Sequence, residues 1–183
     1  MKRAEKKTER VLSAADISRQ LERCCREILK SRDGGDLVFI GIRTRGIHIA
    51  RRLSAMAKKL TGKEINVGEM DITLYRDDLN TLLPEGKVDN TRIPFDIANK
   101  TIILVDDVLH TGRTVRAAVD HLIDFGRPKA IHLAVLIDRG GRELPVAADF
   151  VGKKVAVPSG GDVRVKLKEV DKVDEVVVSK SAG

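Results

Sequence analysis

The sequence of 183 residues predicts an α/β fold, in which helices flank a mostly parallel sheet. Short apolar runs rich in β-branched residues alternate with segments of helical periodicity through the middle of the chain. This β-α-β order is typical of a parallel sheet covered on both faces. Hydrophobic residues make up 42% of the chain, which is enough for a core. The length suits a single domain over residues 1–183.

The N-terminal part predicts a basic tail, at residues 1–10, followed by a helix. Residues 1–32 carry ten basic and five acidic side chains, and this excess is most of the net charge of +7. Ser13 and Asp16 suit a helix start, because an acid in the first turn meets the positive end of the helix. The apolar side chains that follow have helical spacing and predict one buried stripe, at Ile17, Leu21, Cys24 and Ile28.

Basic side chains follow the same spacing on the opposite side of this helix, at Arg19, Arg23, Arg26 and Lys30. A charge run on a helix is usually a solvated face. Four cations on one face also concentrate positive potential and could bind phosphate. The sequence leaves both interpretations open.

The middle and the end of the chain supply the sheet. The predicted elements are strands at 37–41, 65–75, 101–105 and 131–137 and helices at 47–60 and 115–125. Near the C-terminus, Val163, Val165 and Leu167 alternate with charged residues, which predicts a half-exposed strand. Residues 175–178 are a suitable partner for it.

The clearest functional signal lies at 102–114, where an apolar strand leads through two acids into a Thr-Gly-Arg-Thr turn and a helix. A turn of this composition presents backbone N–H groups and hydroxyls, which suit a phosphate. Asp106 and Asp107 are adjacent carboxylates, and their mutual repulsion is unfavourable unless hydroxyl donors or a cation bind them. Ribose hydroxyls with Mg²⁺ nearby would satisfy both carboxylates. An ordinary βα turn is the alternative, but the combination of features favours a phosphate site.

This segment resembles the phosphoribosyl-pyrophosphate signature of type I phosphoribosyltransferases. Together with residues 71–79, 106–117, 134–140, 142–145 and 148–153, it makes the chain similar, from about residue 11 to 178, to one bacterial family. That family comprises the bifunctional pyrimidine operon attenuators and uracil phosphoribosyltransferases. The resemblance implies a type I phosphoribosyltransferase fold with a small hood, formed by residues 138–162 and the chain ends.

The resemblance also implies an activity and a set of partners. The protein would convert uracil and phosphoribosyl pyrophosphate to UMP and pyrophosphate, with Mg²⁺ as cofactor. It would bind pyrimidine operon leader mRNA in response to uridine nucleotides, and it would form a homodimer or a higher homo-oligomer. No apolar run is long enough for a membrane span, so we expect a cytoplasmic protein.

Site residues follow from the resemblance by position. Asp106, Asp107 and Arg76 would be catalytic, with Arg76 on a flexible loop at 76–95 that closes over the substrate, and Mg²⁺ would sit near the two aspartates. The phosphoribosyl pyrophosphate and UMP site would comprise Thr44, Arg45, Asp106, Asp107, Val108, Leu109, His110, Thr111, Gly112, Arg113 and Thr114. The pyrophosphate loop would be Arg43, Thr44, Arg45 and Gly46, and the uracil hood Asp138, Arg139 and Gly140.

The implied RNA contacts are Arg19, Arg23, Arg26 and Arg142. The chain has one Tyr, four Phe and no Trp, so we expect contact with the RNA backbone rather than base stacking.

Four features depart from the family pattern. His110 stands at a tyrosine position, Gly141 at a histidine position, and Glu22 at the position of a small hydroxyl residue, while 155–161 is less polar than usual. None of them removes the carboxylates or the Thr-Gly-Arg-Thr turn. Two alternatives stay open: a salvage phosphoribosyltransferase without RNA binding, and a non-catalytic nucleotide sensor.

Overall fold

The computed structural model describes residues 8–31, 36–73, 75 and 89–180, which form eight strands and four helices. In chain order these are β1 Thr8–Leu12, α1 Ala14–Ser31, β2 Leu37–Ile42, α2 Gly46–Thr61, β3 Val67–Met70, β4 Thr101–Leu109, α3 Arg113–Ile123, β5 Ala130–Asp138, β6 Phe150–Lys154, β7 Asp162–Lys166, α4 Lys168–Asp171 and β8 Glu175–Ser179.

A five-stranded sheet with the order β3-β2-β4-β5-β6 lies at the centre, and every neighbouring pair in it is parallel. Helices α1 and α2 pack on one face, against side chains such as Phe39 and Ile103. Helix α3 packs on the other face, against side chains such as Ile40 and Leu104. The predicted parallel α/β architecture is therefore confirmed.

Helix α1 begins where the sequence predicts, with reciprocal hydrogen bonds between Ser13 and Asp16. The Ser13 backbone N–H donates to Asp16 Oδ2 over 2.9 Å, and the Asp16 N–H donates to Ser13 Oγ over 3.3 Å. The Ser13 hydroxyl also donates to Asp16 Oδ2 over 2.5 Å. This bond, together with the bond from the Ser13 N–H and the contact with Arg19, holds the pKa of the Asp16 carboxyl well below its usual range.

The predicted stripe of Ile17, Leu21, Cys24 and Ile28 is buried, and Cys25 joins it. Burial raises the pKa of both thiols to about 11, so they are uncharged at neutral pH. Both cysteines are free.

The chain ends form a second, antiparallel sheet with the order β1-β8-β7, which we call the hood sheet. The predicted pairing of the two C-terminal strands is confirmed, with Val165 opposite Val176. The predicted tail is wrong for residues 8–10, because they pair along β8, with Thr8 opposite Ser179. Residues 1–7 lie outside the described residues.

Three other predictions need correction. The strand expected at 65–75 ends at Met70, because the Asp71 side chain accepts the backbone N–H of Thr73 over 3.0 Å and so forms a turn. Strand β4 extends beyond the expected 101–105 and contains both Asp106 and Asp107. Strand β6 falls within the segment predicted as hood, yet it pairs with β5 in the main sheet.

None of the helices in the described part of the chain is both long and apolar enough to cross a membrane.

Candidate functional site

The candidate site lies at the carboxyl ends of β2 and β4, which are adjacent parallel strands. The loop after β2 begins at Arg43, and the loop after β4 begins at His110. Ligands of open α/β sheets bind at this edge, because the loops there face the same crevice. The two loops that the sequence singled out are therefore neighbours.

Residues 109–114, from the last residue of β4 to the start of α3, form a small cradle that we call the phosphate loop. Gly112 stands just before α3 with φ 93°, a conformation that favours glycine. The first turn of α3 carries no acid, so the positive end of the helix is left for an anion. A cavity of about 350 Å³ is lined by Val108, Leu109, His110, Thr111, Gly112, Arg113, Thr114, Val115 and Glu143.

The two aspartates form the floor of the site at the end of β4. Asp106 is only 6% exposed, and its Oδ1 accepts the backbone N–H of Asp107 over 2.8 Å. Asp107 Oδ1 in turn accepts the N–H of Val108 over 3.0 Å. Burial raises the pKa of the Asp107 carboxyl, and its bond with Asp106 and the charge of Arg45 oppose that rise. Added positive charge or hydroxyl donors would favour its ionised form.

The loop after β2, residues 43–46, lies against the end of β4. A Cβ atom on Gly46 would lie 2.3 Å from the Val105 carbonyl oxygen, so only glycine permits this close approach. The peptide bond between Arg43 and Thr44 is cis. Thr44 is exposed, and the close approach brings the loop beside Asp106.

Both arginines of this loop are held by carboxylates of the protein itself. Arg43 Nε lies 3.2 Å from Glu69 Oε1. Arg45 binds Asp171 through two parallel hydrogen bonds of 2.7 and 3.1 Å. The bond with Asp171 raises the pKa of Arg45, and the same bond lowers that of Asp171. A bound pyrophosphate would therefore have to share these cations with carboxylates or displace the carboxylates.

Asp171 belongs to a turn that sequence reasoning did not include in the site. Helix α4 and the residues after it join β7 to β8, and the turn is tied to α2 by a second arginine, Arg52. Arg52 contacts Glu169 over 2.6 Å and Asp174 over 2.7 Å. The only sequence signal for this contact is the cluster of three acids within the stretch 169–174.

The segment predicted as the uracil hood begins at Asp138, the last residue of β5, and borders the phosphate loop. Leu109 of β4 pairs with Asp138, and its carbonyl accepts the backbone N–H of Arg139 over 3.1 Å. The Arg139 side chain reaches the hood sheet, where it contacts Asp162 over 3.1 Å. The adjacent Gly140 has φ 70°. The structure thus places Asp138, Arg139 and Gly140 between the phosphate loop and the hood sheet.

Arg142, predicted as an RNA contact, binds groups around the phosphate loop. Its guanidinium pairs with Asp138 over 2.7 Å and donates to the His110 carbonyl over 2.8 Å and to the Val146 carbonyl over 2.9 Å. Burial tends to raise the pKa of Asp138, but the Arg142 bond holds it below its usual value. These contacts join Arg142 to the phosphate loop rather than to α1.

The arginines predicted as RNA contacts on α1 are paired with acids of the same helix. Arg19 contacts Asp16, and Arg26 contacts Glu22 over 2.6 Å. Arg23 contacts Glu27 over 2.8 Å and also donates to the carbonyls of two β6 residues, Val151 and Gly152. Glu22, one of the departures from the family pattern, is therefore the partner of a predicted RNA contact.

Two other departures, His110 and Gly141, lie next to each other. A Cβ atom on Gly141 would be 3.0 Å from His110 Nε2, and Gly141 has φ 72°. Partial desolvation and the charge of Arg139 lower the pKa of the His110 imidazole, which favours its neutral form. The two substitutions thus alter a single place beside the hood.

Arg76 and most of the predicted flexible loop, residues 76–88, lie outside the described residues. On either side of them, Tyr75 and Asp89 both contact the buried His121 of α3. The rings of Tyr75 and His121 stack with centroids 4.0 Å apart, and His121 Nε2 lies 3.1 Å from Asp89 Oδ2. His121 is therefore part of the packing between α3 and the residues that flank the loop.

Comparisons with known proteins agree with this architecture. Residues 7–166 match the phosphoribosyl transferase domain family. Bifunctional protein PyrR of Pelotomaculum thermopropionicum is 50% identical over 173 residues, covering 94% of this chain and 96% of that protein. Bifunctional protein PyrR of Chloroflexus aurantiacus is 53% identical over 175 residues, with 94% and 96% covered.

Solved structures of hypoxanthine phosphoribosyltransferases share the fold. The Staphylococcus aureus enzyme has a TM-score of 0.71 and 20% identity, with 94% of this chain and 93% of that chain covered. The Trypanosoma cruzi enzyme has a TM-score of 0.70 and 16% identity, with 93% and 95% covered.

Proposed function

Because the chain belongs to the bifunctional PyrR family of phosphoribosyltransferases, we propose that it makes UMP and regulates pyrimidine operons. As an enzyme it transfers the phosphoribosyl group of phosphoribosyl pyrophosphate to uracil and releases pyrophosphate. As a regulator it binds pyrimidine leader mRNA when UMP is bound.

One observation supports the enzymatic part most strongly: the buried Asp106 and the partly buried Asp107 lead directly into the cradle of the phosphate loop. UMP and phosphoribosyl pyrophosphate share a ribose 5′-phosphate. Backbone N–H groups at the start of α3, with the hydroxyls of Thr111 and Thr114, suit that phosphate. Asp106 and Asp107, a few residues earlier on β4, suit the vicinal ribose hydroxyls as acceptors.

The reaction needs positioning and charge stabilisation rather than a protein nucleophile. The bond from ribose C1 to uracil N1 forms as the C1–oxygen bond to pyrophosphate breaks. The electron pair of the broken bond leaves with pyrophosphate, and the proton of uracil N1 is released to solvent. The transition state resembles an oxocarbenium ion, as in glycoside cleavage. We propose that Arg43, Arg45 and Arg76 stabilise the negative charge that develops on the departing pyrophosphate. The backbone of Asp138, Arg139 and Gly140 would hold the uracil edge.

The donor set around the aspartates also bears on Mg²⁺. Across the described residues, no three His, Cys, Asp or Glu side chains converge in a way that could hold a metal. Two adjacent carboxylates fit Mg²⁺ when the substrate and waters supply the other oxygens. Asp106 and Asp107 would hold the ion together with phosphoribosyl pyrophosphate, and it would neutralise the charge of the leaving group.

A uracil-dependent assay of pyrophosphate release tests the enzymatic part. We expect release with uracil and much less with hypoxanthine or guanine. Binding of UMP without any turnover would leave only a nucleotide sensor, and turnover with a purine base would show a different base preference.

Titration of a pyrimidine leader RNA, with and without UMP, tests the regulatory part. We expect UMP to tighten RNA binding. An active enzyme that shows no RNA binding under either condition would be a salvage phosphoribosyltransferase.

Two further inferences rest on the same family membership. We infer that the protein acts as a homodimer or higher homo-oligomer, which sedimentation analysis would test. We place it in the cytoplasm because its proposed substrates and leader mRNA are found there.

A further inference from the structure

Besides the basic side chains of α1, the protein has a second basic surface, on the hood sheet. This surface takes no part in the proposed chemistry. We call it the outer hood face. It surrounds a groove of about 510 Å³ lined by Thr8, Arg10, Arg164, Lys166, Glu175, Val177 and Ser179.

The alternation of the strands separates this face from the core. Val163, Val165, Val176 and Val178 are buried, and they point to the hydrophobic core. Because side chains of a strand alternate between its two faces, the residues between these valines lie on the other side. Arg10 and Arg164 are exposed there.

The charges on the outer hood face are poorly neutralised. Lys166 pairs with Glu175 over 2.8 Å. Arg164 lies 3.5 Å from Asp162, whose other carboxylate oxygen already binds Arg139. The Arg10 guanidinium makes no ion pair with any described residue. The face therefore differs from α1, where each of the three predicted arginines has an acid of its own helix as partner.

The two arginines stand on opposite sides of a shallow floor. In the strand register, Arg10 lies opposite Val177, and Val177 lies opposite Arg164. Since neighbouring strands are about 4.8 Å apart, the two arginine backbones are about 10 Å apart. Thr8 and Ser179 form the adjacent row, in which Thr8 is exposed, whereas Ser179 is buried and its hydroxyl donates to the Asp162 carbonyl over 3.4 Å.

Cations and hydroxyls around an apolar floor suit a chain of phosphates. Arginine, threonine and serine are common partners of phosphate oxygens in nucleic-acid complexes. The groove lining contains no aromatic side chain, so it offers no platform for stacking bases. The alternative is that these charges only prevent the edge strands β1 and β7 from pairing with other sheets. In that case the outer hood face would be solvated and would bind no ligand.

We propose that the outer hood face binds the phosphodiester backbone of the leader RNA, as a contact separate from α1. This inference rests on the proposed RNA-binding function. The contact adds affinity and salt dependence but no sequence preference, because phosphates are alike in every sequence.

The test compares RNA binding of the parent protein and of Arg10→Gln with Arg164→Gln, in the presence of UMP and over a range of salt concentrations. Loss of two phosphate contacts should weaken binding about tenfold at low salt and reduce the slope of log K against log salt by about 1.4–1.8. The ratio of affinities for leader RNA and a scrambled RNA should stay unchanged.

Three controls separate this effect from general charge or folding changes. Lys59→Gln with Lys63→Gln removes two exposed lysines at the end of α2, and it should change the slope less. Arg10→Lys with Arg164→Lys should retain most of the parental slope. Uracil-dependent turnover should be the same in all these variants and would show that they are folded.

The outcomes distinguish this inference from the function it rests on. A parent protein that binds RNA, with a slope that the glutamine variant leaves unchanged, would overturn the role of the outer hood face and spare the proposed function. An equal loss of slope in the Lys59 and Lys63 variant would overturn it too. A parent protein that binds no leader RNA would overturn both.

Discussion

The phosphate loop and the pyrophosphate loop lie side by side, but they are prepared for anions in different ways. The phosphate loop offers backbone N–H groups at the start of α3, where no acid stands in the first turn. The pyrophosphate loop offers Arg43 and Arg45, and both are held by carboxylates of Glu69 and Asp171. If the two loops bind the groups proposed for them, one loop is ready for its ligand, whereas the other must exchange a protein carboxylate for a phosphate.

The largest effect should come from the carboxylates between these loops. Asp106→Asn with Asp107→Asn should reduce uracil-dependent turnover by about 10³-fold or more, because the ribose hydroxyls lose their charged acceptors. The fold should persist, since asparagine oxygens can still accept the backbone bonds that Asp106 and Asp107 now accept. Pyrophosphate release measures the first effect and the unfolding temperature the second. Unchanged activity would contradict the assignment of the ribose site.

Arg45→Ala should have the next largest effect. It removes a cation from the leaving group and leaves Asp171 without its partner beside the site. We expect kcat/KM for phosphoribosyl pyrophosphate to fall about 10²-fold. Affinity for UMP, which has no pyrophosphate, should change much less. If calorimetry shows that the affinity for UMP falls as much as kcat/KM for phosphoribosyl pyrophosphate, then Arg45 does not act on the pyrophosphate group alone.

Asp171→Asn should have a smaller effect, in the opposite direction. The amide keeps the size of the side chain and one acceptor for Arg45 but removes the competing charge. We expect KM for phosphoribosyl pyrophosphate to fall about threefold, because less Coulomb energy is lost when pyrophosphate replaces Asp171.

Glu143→Gln is the matched control, since Glu143 contacts Arg113 of the phosphate loop over 2.7 Å. A loop that relies on backbone groups should respond little, and we expect KM to change less than about twofold. A rise in KM for Asp171→Asn would mean that Asp171 positions Arg45 rather than competes for it.

The smallest effect should be on stability in acid. Hydrogen bonds from Arg45 and Arg52 hold the pKa of Asp171 and Glu169 below their ordinary values of 3.8 and 4.5. Their contribution is complete above about pH 5 and is lost as the pH falls through 4 toward the lowered values. We expect about 1 kcal/mol or less in total, since these pairs are partly exposed.

Unfolding temperatures of the parent and of Asp171→Asn with Glu169→Gln, measured from pH 7 to pH 3, test this contribution. The two curves should converge in acid. Curves that stay parallel throughout would show that the charges of Asp171 and Glu169 add no pH-dependent stability.

The features predicted correctly from sequence are those whose determinants are local. The Ser13 and Asp16 start of α1 is confirmed by short-range contacts, and the motif at 102–114 contains its strand, turn and helix in one stretch. The ion pairs of Arg26 with Glu22 and of Arg23 with Glu27 were also visible as helical spacing. These acids neutralise the arginines and so argue against a phosphate-binding face on α1.

The features that sequence reasoning missed depend on distant partners. Strand β6 contains two lysines and has no apolar run, and it exists because β5 supplies its hydrogen bonds. Strand β1 is charged and pairs with β8 at the other end of the chain. The bond between Arg45 and Asp171 joins residues 126 positions apart. No local periodicity can indicate such contacts.

A crystal structure with bound UMP tests the division between the two loops most directly. We predict that the phosphate of UMP lies within hydrogen-bond distance of the backbone N–H groups of residues 111–114. The ribose hydroxyls should face Asp106 and Asp107, while Asp171 still holds Arg45. A phosphate bound at residues 43–46, or ribose hydroxyls directed away from the aspartates, would contradict the account.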